Sequence, residues 1–285
     1  MILDLQKIPC FGVAGNFTGH LEQAGEATDF SKINASVGAP KAVFPTYIPS
    51  SKEKNNSNLV KTPDFLHIFP FDSQKIIFPK EQENLQIEPE CAIIFDVVWE
   101  NEKIASLKPK FFAASNDCSI RKQGAKKISL KKNWGKSSKG LSENLLKIDS
   151  FDENGIINNY RIASFLIRQN KAYVYGENSE IKNYSYIYQK LIDWLLDKFN
   201  NQIDEGPTEK IYDYLLECEK PNQIMVSIGA TRYSEFGETN FLQSGDFSVV
   251  VLYPGEKYSE DEIKQKVQEN SKFDDDISVL RQLVV

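Results

Sequence analysis

Glu88-Pro89-Glu90 sets two carboxylates one residue apart, and Asn116-Asp117 adds a third. In an extended segment side chains alternate between faces, so Glu88 and Glu90 point the same way. Asp117 needs only to arrive from a neighbouring strand to give three oxygen ligands around one point. Carboxylate oxygens without thiolates or paired histidines favour Mg²⁺, Mn²⁺ or Ca²⁺ over zinc. A cation held on one side only would suit a substrate that chelates through its own oxygens. Cys118 follows Asp117 directly, so in a strand it points away from that cation and reads as packing.

Other reactive residue types are few. The chain has 2 histidines. His67, within Leu66-His67-Ile68-Phe69, reads as structural. His20 is the other candidate for any histidine chemistry. Glu22 and Glu26 do not share its helical face at spacings of two and six, which leaves its carboxylate partner unassigned. Arg121 precedes a lysine-rich stretch (Lys122, Lys126, Lys127, Lys131, Lys132, Lys136, Lys139) that reads as a mobile, solvated lid.

The elements that must position these groups are mostly strands. Apolar, β-branched runs bounded by Pro, Asn or Asp predict strands near residues 75–79, 91–99, 110–115, 160–168, 171–175, 223–228 and 247–253. Gln169-Asn170 predicts a tight hairpin. Ile187, Leu191, Trp194, Leu195 and Phe199 share one face of a helix over 186–199. A shorter helix is expected over 208–218 with Thr208 as its N-cap, and a last one from Ser259 with Glu262 completing a capping box. Polar residues 50–62 read as an exposed loop. Strand runs with few helices between them predict an α+β fold.

Gross properties narrow the class. The chain has 285 residues, enough to bury a full core, and its net charge of −6 argues against nucleic acid as a partner. No apolar run approaches the roughly 18–20 residues that a membrane span needs. Residues Met1 to Lys7 lack the form of a secretory signal. The 4 cysteines form no C-x-x-C pair and are expected as free thiols in a reducing cytosol. Together these features predict a cytoplasmic protein that engages neither membrane nor nucleic acid.

Several motifs, taken in order, resemble the fumarylacetoacetate hydrolase family over roughly residues 8 to 254. Gly15-Asn16-Phe17-Thr18-Gly19-His20-Leu21-Glu22 is similar to its G-x-N-Y-x-x-H-x-x-E opening. Phe44 to Ser51 resembles F-x-K-P-S-S, Glu88-Pro89-Glu90 its E-x-E, and Ser115 to Arg121 its A-N-D-x-S-x-R. Gly135-Lys136-Ser137 resembles G-K-S. Gly229-Ala230-Thr231 and Leu242 to Val249 stand where G-T-P and L-x-x-G-D-x-V are expected.

The resemblance implies a mixed β-roll, a homodimer, and Mg²⁺ (or Mn²⁺/Ca²⁺) held by Glu88, Glu90 and Asp117. It implies a small carboxylate substrate of the 2-oxo or β-diketo class. His20 is then the general base that draws a proton from water beside the metal. Lys136 is catalytic and with Arg121 holds the anionic end of the substrate and a developing enolate, and Thr231 binds substrate. Cleavage of a C–C bond by hydrolysis is the first expectation. Decarboxylation, isomerisation or hydration at the same metal, or a non-catalytic binding relative, are the alternatives. Ile48 stands in place of the usual F-x-K-P lysine, and Ala230 in place of the G-T-P threonine. Residues 1–254 are expected to form the catalytic domain and 255–285 a helical extension.

Overall fold

A computed structural model describes residues 4–30, 33, 35–36, 38–50, 61–79, 84–121 and 126–285. Of the exposed loop expected at 50–62, residues 51–60 lie outside the described residues, as do 122–125 of the lysine-rich stretch; Thr62, at the end of that loop, is buried. In chain order the first strands are β1 (Cys10–Ala14), β2 (Ala42–Tyr47), β3 (Lys75–Ile76), β4 (Leu85–Gln86) and β5 (Pro89–Glu100). There follow β6 (Lys103–Asn116), β7 (Ser119–Ile120), β8 (Gly140–Leu141) and β9 (Leu146–Lys147). The last are β10 (Tyr160–Arg168), β11 (Lys171–Glu180), β12 (Gln223–Ala230), β13 (Phe247–Pro254) and β14 (Ser278–Val284). The helices are α1 (His20–Gln23), α2 (Ile128–Lys132), α3 (Tyr188–Asn201), α4 (Ile211–Glu217), α5 (Glu235–Thr239) and α6 (Glu260–Glu269).

Seven strands form one sheet, in the order β2-β1-β12-β5-β6-β8 with β9 also on β6, and five form a second, β11-β10-β13-β14-β3. β4 and β7 make a small ribbon. The β1–β12 and β14–β3 pairs are parallel, whereas the long hairpins β5–β6 and β10–β11 are antiparallel. Local backbone chemistry sets both hairpins. Asn101-Glu102 and Gln169-Asn170 hold positive φ (46° and 68°, 50° and 59°), as two-residue turns between twisted strands require. The second of these is the turn expected from sequence.

The strands of the two sheets share one apolar core. Phe11, Phe95, Phe112, Val226 and Val250 are buried in it together with Leu191, Leu195 and Phe199 of α3. α6 closes the outer face of the second sheet with Ile263 and Val267 against Phe165, Val249 and Val251.

Some expectations change. The run at 75–79 is a strand only over Lys75–Ile76. Thr208 does not cap α4; its hydroxyl donates to the carbonyls of Ile203 and Glu205, each at 2.8 Å, and the helix begins three residues later. Ser259 and Glu262 do form the capping box. The segment expected as a helical extension is helical over Glu260–Glu269 but ends in β14, which lies between β13 and β3. Its buried positions are Ser278, Leu280, Gln282 and Val284, a period of two that marks a strand.

Candidate metal and substrate site

Strand pairing assembles the three carboxylates. β5 and β6 register Pro89 with Asn116 and Glu90 with Ser115, so Asp117 emerges beside the Glu88–Glu90 pair. The Asp117 N–H donates to the Glu88 carbonyl at 3.1 Å. Asn116 locks this corner: its Oδ1 accepts from the Glu88 N–H at 3.0 Å, and its Nδ2 donates to Ser248 Oγ and Gln282 Oε1 at 3.1 Å each. Carboxylate oxygens of Glu88, Glu90 and Asp117 consequently lie within 4.8 Å of one another, all buried.

Gly229 holds the other side. It sits where the β12–β5 register shifts, with φ +114°, and its N–H donates to Glu90 Oε2 at 3.0 Å. A Cβ there would lie 3.1 Å from Asn16 Cβ and 3.2 Å from the Val13 carbonyl. Only glycine takes that backbone without strain.

Four basic groups surround the acids. Arg121 Nη1 lies 2.8 Å from Glu88 Oε1 and 2.7 Å from Glu26 Oε1, and its Nε donates to Gln86 Oε1 at 2.5 Å. Its second terminal nitrogen donates to the Tyr233 hydroxyl. Lys131 Nζ reaches Glu26 Oε1 at 3.0 Å. Lys132 bonds Glu88 and lies 3.0 Å from Asp117 Oδ2. Lys139 bonds Asp117 and also donates to the Lys132 carbonyl at 2.9 Å. Lys131, Lys132 and Lys139 are all buried.

These neighbours split the acids electrostatically. Burial alone would raise the Glu88 pKa, but Lys132 and Arg121 override it and hold the carboxyl well below its usual range. Glu90 lacks such a partner, and burial together with Asp117 and Glu88 pushes it well above. Two oxygens retain acceptor capacity: Glu88 Oε1 and Asp117 Oδ2 lie near Arg121 and Lys132 without hydrogen-bond geometry and have no other partner. Three converging carboxylates with two unused buried oxygens fit a hard divalent cation.

His20 opens α1 and is 4% exposed, with its ring 5.2 Å from that of Tyr233 and its Nδ1 unpartnered. Burial lowers its pKa from 6.5 to about 4, so the ring is neutral at physiological pH. His20, Glu26, Glu88, Glu90, Phe44, Ile128, Lys132 and Ala230 border a cavity of about 10 Å³. That is room for roughly one water.

Thus Glu88, Glu90, Asp117, His20 and Arg121 converge, as residue spacing suggested for the acids and the family resemblance for His20 and Arg121. Lys136 does not; it is exposed, and the buried ion pairs are made by Lys132 and Lys139. Thr231 is buried and donates its N–H to the Pro89 carbonyl at 3.1 Å, but the cavity wall is Ala230. The expected solvated lid is solvated only in part, since three of its lysines face the acids. The missed signal is Ile128 and Lys132, spaced i, i+4, which puts the lysine on the apolar side of α2. His67 is structural, its Nδ1 2.8 Å from the Ile48 carbonyl. The four cysteines are free, and Cys118 is buried.

The fold is that of the fumarylacetoacetate hydrolase family, a mixed β-roll, shared with enzymes of solved structure. A dehydratase of 2-keto-3-deoxy-D-arabinonate, complexed with magnesium and 2,5-dioxopentanoate, is 12% identical at a TM-score of 0.53. The match covers 97% of this chain and 72% of that one. The inhibitor-bound Cg1458 structure is also 12% identical, with a TM-score of 0.57 over 97% of this chain and 76% of that one. A 5-carboxymethyl-2-hydroxymuconate delta-isomerase from Mycobacterium smegmatis shares 12% identity and a TM-score of 0.51, over 97% and 78% of the two chains. Residues 26–284 match the model of a family of unknown function, DUF5718, and the chain belongs to it. No curated protein matches the sequence. Among the described residues, no helix is long and apolar enough to cross a membrane.

Proposed function

We propose that this chain is a divalent-metal-dependent enzyme of small 2-oxo or β-diketo acids, with hydrolysis of a C–C bond as its reaction. The observation that carries this reading is the buried convergence of Glu88, Glu90 and Asp117 beside a neutral His20. The residues fit Mg²⁺, Mn²⁺ or Ca²⁺, which when bound would polarise the oxygens of a chelating 2-oxo acid. The fold relatives support the substrate class: one carries magnesium with 2,5-dioxopentanoate, and another is an isomerase of a hydroxymuconate.

Each remaining role belongs to a side chain. His20 Nδ1, unpartnered and neutral, accepts a proton from water in the adjoining cavity. Lys139 sits on Asp117 and supplies positive charge for an enolate oxygen. Arg121 is tied to Glu26, Glu88, Gln86 and Tyr233, so it holds Glu88 in place instead of reaching for substrate. Decarboxylation or isomerisation would use the same groups without an attacking water. A homodimer in the cytosol, with a small carboxylate as its partner, completes the proposal; free cysteines support a reducing compartment.

A second reading, a relative that binds but does not turn over, is favoured by the small cavity and the internal lysines. Titration calorimetry of metal-stripped protein with Mn²⁺ and then oxalate separates the readings. The enzyme reading predicts that oxalate binds only after metal, and that acylpyruvates are turned over. Oxalate binding with no need of metal moves the weight to the binder, and absence of metal binding at millimolar concentration overturns the enzyme.

A further inference from the structure

We propose that Lys132 is a tethered cation that occupies the carboxylate site and must be displaced for a divalent metal to bind. The inference rests on the reading of Glu88, Glu90 and Asp117 as metal ligands. The Lys132 ammonium bonds Glu88 and lies 3.0 Å from Asp117 Oδ2, bridging two of the three acids. Glu88, Glu90 and Asp117 would hold a divalent ion through carboxylate oxygens, and those of Glu88 and Asp117 now face the Lys132 ammonium. The oxygen facing Lys132 on Asp117 is one of the two without a hydrogen bond, so the ammonium neutralises it without filling its acceptor position.

The geometry also shows what would move. Lys132 ends α2, a five-residue helix with no side-chain N-cap. Ile128 and Lys132 of that helix both border the 10 Å³ cavity, too small for a chelating acid. Withdrawing Lys132 frees the oxygens and enlarges the cavity together. The carboxylates would stay charge-compensated, because Arg121 remains on Glu88 and Lys139 on Asp117. Trp134 lies two residues beyond Lys132, with its indole N–H 3.4 Å from the Ile77 carbonyl. It therefore reports movement of this segment.

The test compares Mn²⁺ affinity of the wild type and Lys132→Met by titration calorimetry, with Mn²⁺ electron paramagnetic resonance as a second readout. Removing a competing cation should tighten Mn²⁺ binding by roughly tenfold or more. Metal binding that is unchanged or weaker in the variant overturns the proposal while leaving the metal site intact. Absence of binding in both proteins overturns the metal reading and the proposal with it. Should the variant fail to fold, the wild type still decides. In a Mn²⁺-soaked crystal the Lys132 ammonium should have left Glu88 and Asp117, and Mn²⁺ should change Trp134 fluorescence against a Trp134→Phe control. An ion bound with Lys132 still bridging those two carboxylates overturns it.

Discussion

The two halves of the charged cluster are built on different kinds of support. Glu88, Glu90 and Asp117 sit at the paired ends of β5 and β6, fixed by backbone hydrogen bonds and by Asn116 reaching into the second sheet. Lys131, Lys132 and Lys139 come from a five-residue helix and the loop after it. A ladder shares its load among many bonds, whereas a short helix has few internal ones and leans on tertiary contacts. The anchors of α2 are side-chain contacts to other elements: Ile128 packs in the cluster of Leu21, Phe30 and Phe44, Ser129 Oγ donates to Glu209 Oε1 at 3.0 Å, and Asn133 Nδ2 donates to the Pro45 carbonyl at 3.1 Å. The acids are therefore held by a strand ladder, and the proposed exchange asks only the Lys132 side chain to give way to another cation. A site arranged this way compensates the charge of its buried acids with its own lysines and arginine.

Attacks on the acids and on the arginine that pairs with them should cost most. Arg121→Met strands Glu26 and Glu88 beside fewer cations, and breaking a buried pair costs about 3–5 kcal/mol. Denaturant unfolding should show that loss; a change below about 1 kcal/mol would mean water reaches these acids. Glu90→Ala leaves two ligands, and Mn²⁺ affinity by calorimetry should fall roughly a hundredfold, about 2.7 kcal/mol. Near-wild-type affinity in that variant would remove Glu90 from the ligand set.

Titration gives an effect of similar size. The His20 pKa falls from 6.5 to about 4 on folding. The unfolded chain therefore takes up this proton as pH drops through 6.5, and the folded protein only near 4. Stability from this group is complete above pH 6.5 and is lost towards pH 4, by on the order of 3 kcal/mol. Histidine NMR of metal-free protein should show a ring titrating near 4, and a His20 midpoint above 6 would contradict its buried, neutral role. Gly229→Ala forces a side chain into φ +114° and should cost about 1–3 kcal/mol, read as a lower Tm together with weaker metal binding.

The smallest effect belongs to the base half's exposed member. Lys136→Ala should change kcat/KM less than about twofold, since the side chain stands in solvent. A loss above tenfold would return the catalytic role to Lys136 and unsettle the assignment to Lys139.

The sequence by itself determined the Glu88–Glu90 pair of the acid half. Glu-Pro-Glu carries its geometry in strand alternation, a local rule, so the shared side of Glu88 and Glu90 was legible before any fold was known, whereas Asp117 joins them through the β5–β6 pairing. The Gln169-Asn170 turn, the Ser259 capping box and the apolar face of α3 were legible for the same reason, because each depends on neighbours a few residues apart. Tertiary structure alone decided which lysines face inward. Lys132, Lys136 and Lys139 are chemically identical, and their run reads locally as a solvated face; burial was settled by acids that other elements deliver to α2 and its loop. It also decided the fate of the C-terminus, where β14 is a strand because β13 and β3 offer it two edges, a long-range pairing that no local pattern after Glu269 announced.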